Sequence, residues 1–244
     1  MIGSTIVHLD IVDSTNNYAA KELLTKSLNE GSVFTANCQQ SGRGTGSSQW
    51  ESSEGLNLTI SIVIYPVQVE IYHQFAISQA ISLGLADFLS QHVGKVSVKW
   101  PNDIYVDDKK IAGVLIETAI SGGKFSRAIV GIGLNINQEK FVSDAPNPVS
   151  LKNLTAKSYD LNEILDSLCD KLDKRYISLL NGDYESLNAD YEKLLYRRGI
   201  RANYAAENDD FEGMITGIGK DGQLLIQTTA GEVRSFLFKE VVFK

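Results

Sequence analysis

The chain has 244 residues, enough for one large domain with a small appendage, and its 43% hydrophobic and 22% charged residues are typical of a globular protein. Its 23 Lys and Arg against 30 Asp and Glu give a net charge of −7, which argues against a general nucleic-acid binder. The charge leaves a nucleotide site possible, because such a site needs only a few local cations.

Neither the beginning of the chain nor its apolar runs indicate targeting or a membrane span. The start, MIGSTIVHLD, lacks the basic segment and apolar run of a signal peptide. Polar residues and a proline interrupt the run at residues 60–69, which is too short to cross a bilayer. Cys38 and Cys169 match no metal or redox spacing, so we expect two reduced thiols in a cytoplasmic protein without membrane association.

The first part of the chain predicts strands separated by one helix. Residues 5–11 are predicted as a strand, and a side chain among residues 13–15 would cap the helix that follows. The apolar side chains of that helix are expected on one face: Ala20, Leu23, Leu24 and Leu28. Residues 33–38 and 56–65 are predicted as strands on either side of a glycine-rich stretch.

The middle of the chain predicts a second helix and then a run of strands. The helix is indicated by apolar residues spaced four, four and three apart: Ile77, Ile81, Leu85 and Phe88. Four strands are predicted next: residues 96–100, 104–106, 111–118 and 128–132. Strands in runs, with the helices apart from them, favour an α+β domain over a doubly wound parallel sheet.

The last part of the chain predicts a connection, a helix and a small second domain. Residues 135–158 are polar and turn-rich, and Asp160 with Glu163 predicts a capping box. The helix after it has one apolar stripe: Leu165, Leu168, Leu172, Tyr176 and Leu179. Beyond about Arg197, frequent glycines between short strands favour a small β-barrel, so the predicted domains are 1–196 and 197–244.

Residues 41–50, the glycine-rich loop, read SGRGTGSSQW. The loop has no P-loop lysine, its glycine spacing is not that of a dinucleotide fingerprint, and the other kinase motifs are missing. Its backbone N–H groups could approach an anion closely, with Arg43 supplying the charge. Taken alone, the loop is better interpreted as a solvated hairpin.

Three further segments change that interpretation. They read KWPND at residues 99–103, KKIAGVLIE at 109–117 and GIGLNIN at 131–137. Each of them alone would be a turn joined to a core strand. In this order after the glycine-rich loop, they strongly resemble the biotin–protein ligases, also called biotin–[acetyl-CoA-carboxylase] ligases. The resemblance runs from Asp13 to the C-terminal barrel.

The resemblance implies a fold and a reaction. The fold is the biotin/lipoate ligase catalytic fold, a mixed or antiparallel sheet with packed helices, followed by an SH3-like β-barrel. The reaction activates biotin with ATP and Mg²⁺ to biotinyl-5′-AMP and then transfers biotin to a lysine. That lysine belongs to the biotin carboxyl carrier protein domain of a biotin-dependent carboxylase. No protein nucleophile is needed, because the mixed anhydride is itself the activated intermediate.

The resemblance also implies which residues form the site. The residues implied to bind biotin are Ser14, Thr15, Asn16, Gln39, Arg43, Gly44, Thr45, Lys110, Gly113, Gly131 and Gly133. The residues implied to bind ATP or the adenylate are Trp50, Asn102, Lys110 and Asn135, with Asp103 for Mg²⁺. Lys110 is implied as the main electrostatic catalyst, and Arg43 would hold the carboxylate–phosphate region as the loop closes.

Simpler interpretations of some of these residues remain open. Ser14 or Thr15 could cap a helix, and Gln39 could be an exposed residue at a strand end. Trp50 could be a buried core residue. Lys109, beside Lys110, is expected to be a solvated turn residue.

The sequence departs from the pattern of the family in two places. Many members carry GRGRxGRxW, whereas the second and third arginine positions here are Thr45 and Ser48. We therefore expect a loop that holds the adenylate more loosely. Some members also begin with a helix-turn-helix DNA-binding domain. Only about a dozen residues precede Asp13 here, so we expect a ligase without DNA binding.

Three other functions remain as alternatives. A lipoate ligase or an octanoyl transferase would share the architecture, and the transferase would need a nucleophilic cysteine. Cys38 precedes the glycine-rich loop but is more simply a small strand residue. The third alternative is an inactive biotin or nucleotide sensor. The sequence leaves the oligomeric state open between monomer and homodimer.

Overall fold

The computed structural model describes residues 1–46, 48–143, 147–207 and 209–244. Ser47 of the glycine-rich loop, residues 144–146 of the predicted connection and Asn208 of the predicted barrel lie outside the described residues. Among the helices of the described part, none is long and apolar enough to cross a membrane.

A seven-stranded sheet forms the larger part of the molecule, in the spatial order β1-β2-β3-β7-β6-β5-β4. Its strands are β1 (Thr5–Val12), β2 (Ser32–Gln39), β3 (Leu58–Ile64), β4 (Val96–Lys99), β5 (Asp103–Val106), β6 (Lys109–Ser121) and β7 (Lys124–Leu134). β1 and β2 are parallel, and the other neighbours are antiparallel. The predicted α+β class with a mixed sheet is therefore confirmed.

Helices cover both faces of this sheet. They are α1 (Thr15–Thr25), α2 (Gln74–Leu89), α3 (Leu151–Thr155), α4 (Leu161–Leu180) and α5 (Tyr184–Lys193), with a short 3₁₀ helix at Ile71–His73. Ile62 of β3 belongs to the large core with α2 and α4, whereas Val63 packs in a smaller core with Ala19 of α1. Since successive strand residues point to opposite faces, α1 and α2 lie on opposite sides of the sheet.

The predicted apolar face of α1 is correct only in part, because Leu23 is half-buried against the smaller core but the other three residues differ from the prediction. Ala20 is exposed, Leu24 is 78% exposed, and Leu28 lies beyond the last residue of the helix. The helix instead buries Ala19 together with two polar residues of its first turn, Thr15 and Asn16. The apolar pattern misled the prediction because hydrogen-bonded polar side chains occupy the core-facing positions.

The other predicted helices are present, and two further helices were missed. The Asp160 side chain accepts hydrogen bonds from the N–H groups of Asn162 and Glu163, as expected of an N-cap, but within the described residues Glu163 does not return the bond that a capping box requires. The predicted apolar stripe of α4 is buried. α5 was missed because its polar sequence, YESLNADYEK, buries only Leu187 and Tyr191. α3 lies inside the predicted connection.

A second sheet contains five antiparallel strands in the order β11-β10-β9-β8-β12. Its strands are β8 (Arg201–Ala206), β9 (Asp209–Ile218), β10 (Leu224–Thr228), β11 (Val233–Phe236) and β12 (Val242–Phe243). The indole N–H of Trp100 donates to the Gly222 carbonyl at 2.9 Å, which ties this sheet to the turn before β5. The division into domains 1–196 and 197–244 remains a prediction.

We predict that Gly84→Ala destabilises the packing of α2 on α4. A β-carbon at Gly84 would lie 2.9 Å from both Cα and Cδ2 of Leu172, so the two helices would have to separate. We expect the free energy of unfolding, measured by chemical denaturation, to fall by about 1–2 kcal/mol. Gly94→Ala is the control, because a β-carbon there meets nothing within 4 Å. Equal stability of the two variants would contradict the prediction.

Candidate active site

A cleft on the α1 face of the first sheet brings the glycine-rich loop, the start of α1 and strands β5–β7 together. Every predicted site residue except Asn102 and Asn135 is among the described residues that line it. The lining residues are Ser14, Thr15, Asn16, Gln39, Arg43, Gly44, Thr45, Trp50, Ile60, Asp103, Lys110, Gly113, Val114, Leu115, Gly131, Ile132 and Gly133. The sheet thus collects residues from motifs that are far apart in the sequence.

Glycines form the floor of the cleft. Gly113 of β6 is paired with Gly133 of β7, and a β-carbon at Gly133 would overlap the indole ring of Trp50. At Gly131, a β-carbon would overlap the side-chain amide of Asn16. In this structure the indole of Trp50 and the side-chain amide of Asn16 therefore occupy the space over these two glycines. The indole N–H of Trp50 is buried without a hydrogen-bond partner among the described residues.

Four hydrogen-bonded side chains, the polar cluster, lie at the start of α1: Thr15, Asn16, Gln39 and Ser61. Gln39 Oε1 accepts from the backbone N–H of Thr15 at 2.8 Å and contacts Thr15 Oγ1 at 3.1 Å. Ser61 Oγ lies 2.8 Å from Thr15 Oγ1 and 2.5 Å from Asn16 Oδ1. Two hydroxyl protons cannot fill all three side-chain contacts, so the cluster has acceptor capacity for a donor from a ligand.

Two serines differ from the sequence analysis: Ser14 does not cap the helix with its side chain, and Ser61 was not predicted as a site residue. Ser14 is the N-cap residue of α1, but its side chain makes no capping hydrogen bond and is buried against the cleft. Ser61 was missed, although it is fully buried. Its signal in the sequence is a hydroxyl residue inside the apolar strand LTISIVI.

Arg43 reaches out of the glycine-rich loop to an acidic residue that the sequence did not single out. Its guanidinium donates to Glu117 Oε1 at 2.8 Å and Oε2 at 3.3 Å, and to Asn17 Oδ1 at 2.8 Å. Glu117 Oε2 also accepts from Asn16 Nδ2 at 2.8 Å. The signal for Glu117 was its position, because residues 113, 115 and 117 of β6 share one face.

Lys110 stands elsewhere along the cleft. Its ammonium lies 2.8 Å from Asp103 Oδ1 and 5.7 Å from the centre of the Trp50 ring. Asp103 is paired with Gly113, so the strand register holds its carboxylate beside the glycine floor. Lys110 belongs to β6 together with Lys109, which is exposed. Within the described part of the chain, Arg43 and Lys110 share no ion-pair or hydrogen-bond partner.

Lys99 is the last residue of β4 and lies near the ion pair of Lys110 and Asp103. Burial lowers the pKa of its ammonium, and the nearby charges of Asp103 and Lys110 act on it in opposite directions. The ammonium is 3.3 Å from Tyr105 Oη and 5.0 Å from the centre of the Phe243 ring. Burial also raises the pKa of the Tyr105 phenol. These contacts join the second sheet to the strand before the KWPND turn.

Two predicted residues lie outside the cleft lining. The side-chain amide of Asn102 donates to the Val114 carbonyl, which anchors the KWPND turn to β6. Asn135 is buried and donates to the Val149 carbonyl at 3.1 Å, and its Oδ1 has no partner among the described residues. The roles assigned to Asn102 and Asn135 by resemblance therefore stay predictions.

The second sheet also reaches the glycine-rich loop. Gly46 has a positive φ of 70°, and the atoms nearest to a β-carbon built there belong to the ammonium end of Lys239. Lys239 is itself in the left-handed region, with φ 72°. A cation from the turn between β11 and β12 therefore lies beside the tip of the loop. The sequence offered no signal for this contact because it joins two distant turns.

Neither cysteine belongs to the described lining of the cleft. Cys38 is partly exposed near the end of β2, and Cys169 is buried in α4. Burial, followed by the nearby carboxylates of Asp166 and Asp173, raises the pKa of the Cys169 thiol to about 12. A thiol with that pKa is an inert core group at neutral pH.

Comparison with known proteins identifies the family. The model of the biotin/lipoate A/B protein ligase family matches residues 9–135, a span that runs from β1 through the end of β7. The chain belongs to the biotin/lipoate A/B protein ligase family. The matched span contains every residue of the described cleft lining.

Individual members of the family are similar over nearly the whole chain. The bifunctional ligase/repressor BirA of Bacillus subtilis is 28% identical over 240 residues, covering 95% of this chain and 72% of that protein. The biotin–[acetyl-CoA-carboxylase] ligase of Mycobacterium tuberculosis is 28% identical over 233 residues, covering 92% and 85%. The biotin protein ligase from Aquifex aeolicus in complex with biotin and ATP is 25% identical, with a TM-score of 0.81 over 99% of both chains. The resemblance seen in the motifs is confirmed.

We predict that Gly133→Ala displaces the Trp50 indole from the floor of the cleft, because the two groups would overlap. The tryptophan emission should shift to the red, and acrylamide should quench it more strongly than in the unmodified protein. The same substitution in a Trp50→Phe background should leave the emission of Trp100 unchanged. A change of equal size in that background would contradict the assignment to Trp50.

Proposed function

We propose that the protein is a biotin–protein ligase that forms biotinyl-5′-AMP from biotin and MgATP and transfers biotin to a carrier lysine. The observation that carries the proposal is the polar cluster, in which Thr15, Asn16 and Ser61 are buried and Gln39 is half-buried. The ureido ring of biotin offers two N–H donors and one carbonyl acceptor to such a cluster. The dithiolane ring of lipoate and the alkyl chain of octanoate offer neither, and burying polar groups against them is costly.

The other side chains of the cleft suit the adenylation step. That step brings a carboxylate up to a triphosphate, so negative charge must be stabilised where the two meet. Lys110 supplies a cation beside the glycine floor, and the indole N–H of Trp50, which has no partner among the described residues, can donate to a ligand acceptor. We assign Lys110 the role of electrostatic catalyst.

The donor set also fits the metal that this reaction uses. Within the described residues, no group of three or more acidic, His or Cys side chains could enclose an ion. Among the described lining residues of the cleft, Asp103 alone carries a carboxylate, which suits Mg²⁺ because Mg²⁺ is held largely by phosphate oxygens and water. When bound with ATP, Mg²⁺ neutralises phosphate charge. Asp103 would help to orient it, with Lys110 as its neighbour.

The alternative functions receive less support. An octanoyl transferase needs a cysteine nucleophile, and the described lining of the cleft has none. An inactive sensor would not require Lys110 and Asp103 to be held 2.8 Å apart beside the floor. The similar biotin protein ligase from Aquifex aeolicus forms a complex with biotin and ATP, which supports the same pair of substrates here.

The wider setting of the reaction is also part of the proposal. The name of the Mycobacterium tuberculosis relative supports a carboxylase carrier domain as the acceptor of biotin. The cytoplasmic location and the lack of nucleic-acid binding stay predictions, and the choice between monomer and homodimer stays open. An operator-specific shift in a gel assay would contradict the predicted lack of DNA binding.

Mass measurement of a carrier domain tests the proposed function. The protein is incubated with MgATP, a carrier domain and either biotin or lipoate, and we expect a biotin-sized mass gain with biotin alone. Lys110→Gln should slow this transfer by about 100-fold or more, because it removes the charge that stabilises the transition state.

Lys109→Gln is the matched control for that experiment. Lys109 adjoins Lys110 on β6 but is exposed and does not line the cleft. We expect it to keep nearly full activity. A mass gain with lipoate, or no gain with either acid, would refute the proposed function.

We predict that Thr45→Arg slows the release of the adenylate. Thr45 lines the cleft at a position where many family members have arginine, and a charge-assisted hydrogen bond to phosphate would hold the intermediate longer. The dissociation rate of biotinyl-5′-AMP should fall by about tenfold or more. Thr25→Arg adds the same charge at the exposed end of α1 and should leave that rate unchanged. Equal release from the two variants would show that position 45 does not govern retention.

A further inference from the structure

Among the described residues of the glycine-rich loop, a single side chain makes hydrogen bonds to the rest of the molecule. Within the loop, backbone hydrogen bonds join Gly44 to Ser48 and Trp50 to Gly42, so it forms a hairpin. Among its described residues, Arg43 alone makes side-chain hydrogen bonds, and these cross to Glu117 on β6 and Asn17 on α1.

Hydrogen bonds connect Glu117 in turn to the polar cluster. Glu117 Oε2 accepts from Asn16 Nδ2 at 2.8 Å, and Asn16 Oδ1 contacts Ser61 Oγ. An unbroken chain of hydrogen bonds therefore runs from the guanidinium of Arg43 to the residues proposed to bind the ureido ring. Lys110 and Asp103 are not part of that chain.

The ion pair is better suited to holding a loop than to stabilising the fold. The Arg43 and Glu117 side chains are 41% and 38% exposed, and pairs this exposed add little to the free energy of unfolding. The geometry is nevertheless bidentate, which fixes the direction of the guanidinium. A loop held by few contacts opens at low cost, so losing this pair should change how often the loop opens.

We propose that Glu117 is a positioning residue, which straps Arg43 and the glycine-rich loop across the ring-binding end of the cleft and retains the bound ligand. The inference rests on the proposed function, because biotin is the ligand that is retained. It departs from the expectation that Arg43 holds the carboxylate–phosphate region. The charge of Arg43 is already balanced by Glu117, and moving it to a phosphate would break three hydrogen bonds.

Dissociation rates of two ligands test the strap. Biotin is compared with biotinol, which has the same ring but a neutral alcohol in place of the carboxylate. In Glu117→Gln, both ligands should dissociate about 5- to 20-fold faster and by the same factor, because the ring end opens equally for both. Arg43→Gln should behave alike, and the double variant should be no faster than either single variant.

The control breaks a comparable ion pair away from the cleft. Asp209→Asn removes the 2.8 Å pair between Asp209 and Arg234 on the second sheet and should leave both dissociation rates unchanged. The thermal midpoint of Glu117→Gln should match that of the unmodified protein, which separates loop opening from a loss of folding.

Each other outcome contradicts the inference in a distinct way. Faster dissociation of biotin but not of biotinol would make Arg43 a clamp for the carboxylate. Unchanged rates for both ligands, or additive effects in the double variant, would make the pair an ordinary surface ion pair. Failure of the unmodified protein to bind biotin would refute the strap and the proposed function together. Normal binding with unaffected variants would refute the strap alone.

Discussion

The cleft depends on the absence of side chains at Gly131 and Gly133, on the face of β7 that α1 covers. Elsewhere on that face, Val63 and Ile129 pack against Ala19 and form a small core. If β7 continued with side chains, the same core would extend along the strand and leave no space over it. The glycines instead admit the amide of Asn16 and the indole of Trp50. Both groups belong to residues that the resemblance assigns to ligand binding, so one constraint on β7 shapes the cleft at the polar cluster and at the indole.

Charge in the cleft is arranged as pairs. Arg43 forms an ion pair with Glu117, and Lys110 forms one with Asp103. In each pair the nearest nitrogen and oxygen atoms are 2.8 Å apart. Pairing keeps two cations at fixed positions in a chain whose net charge is −7. The two cations differ, however, in the number of bonds that each must break before it can move to a ligand. Arg43 has three charge-assisted hydrogen bonds to give up, whereas among the described residues Lys110 has a single ion-pair partner, Asp103, which a magnesium ion could engage in its place. Lys110 is therefore the cation that is more readily transferred to a phosphate.

The sequence predicted the strands and the cleft residues better than it predicted the helix faces. β4–β7 were found because β-branched runs are bounded by turns, and the motif residues at their ends converge through sheet register. The prediction for α1 failed in its first turn, where Thr15 and Asn16 are buried because they contact Ser61, a polar partner on β3. Glu117 and Ser61 were missed for the same reason. Each forms a polar contact across more than forty residues of sequence, and the local pattern marks the residue but not its partner.

A further positive charge near the glycine-rich loop comes from the second sheet. Thr45 and Ser48 give the loop no cation beyond Arg43, whose side chain turns toward α1 and β6. Lys239, between β11 and β12, lies beside Gly46 instead. A charge carried by the second sheet acts on the loop only while the two parts keep their relative position. That position is fixed by Trp100 donating to Gly222 and by Lys99 lying over Phe243. The KWPND turn therefore serves the loop indirectly, because it anchors the sheet that presents Lys239.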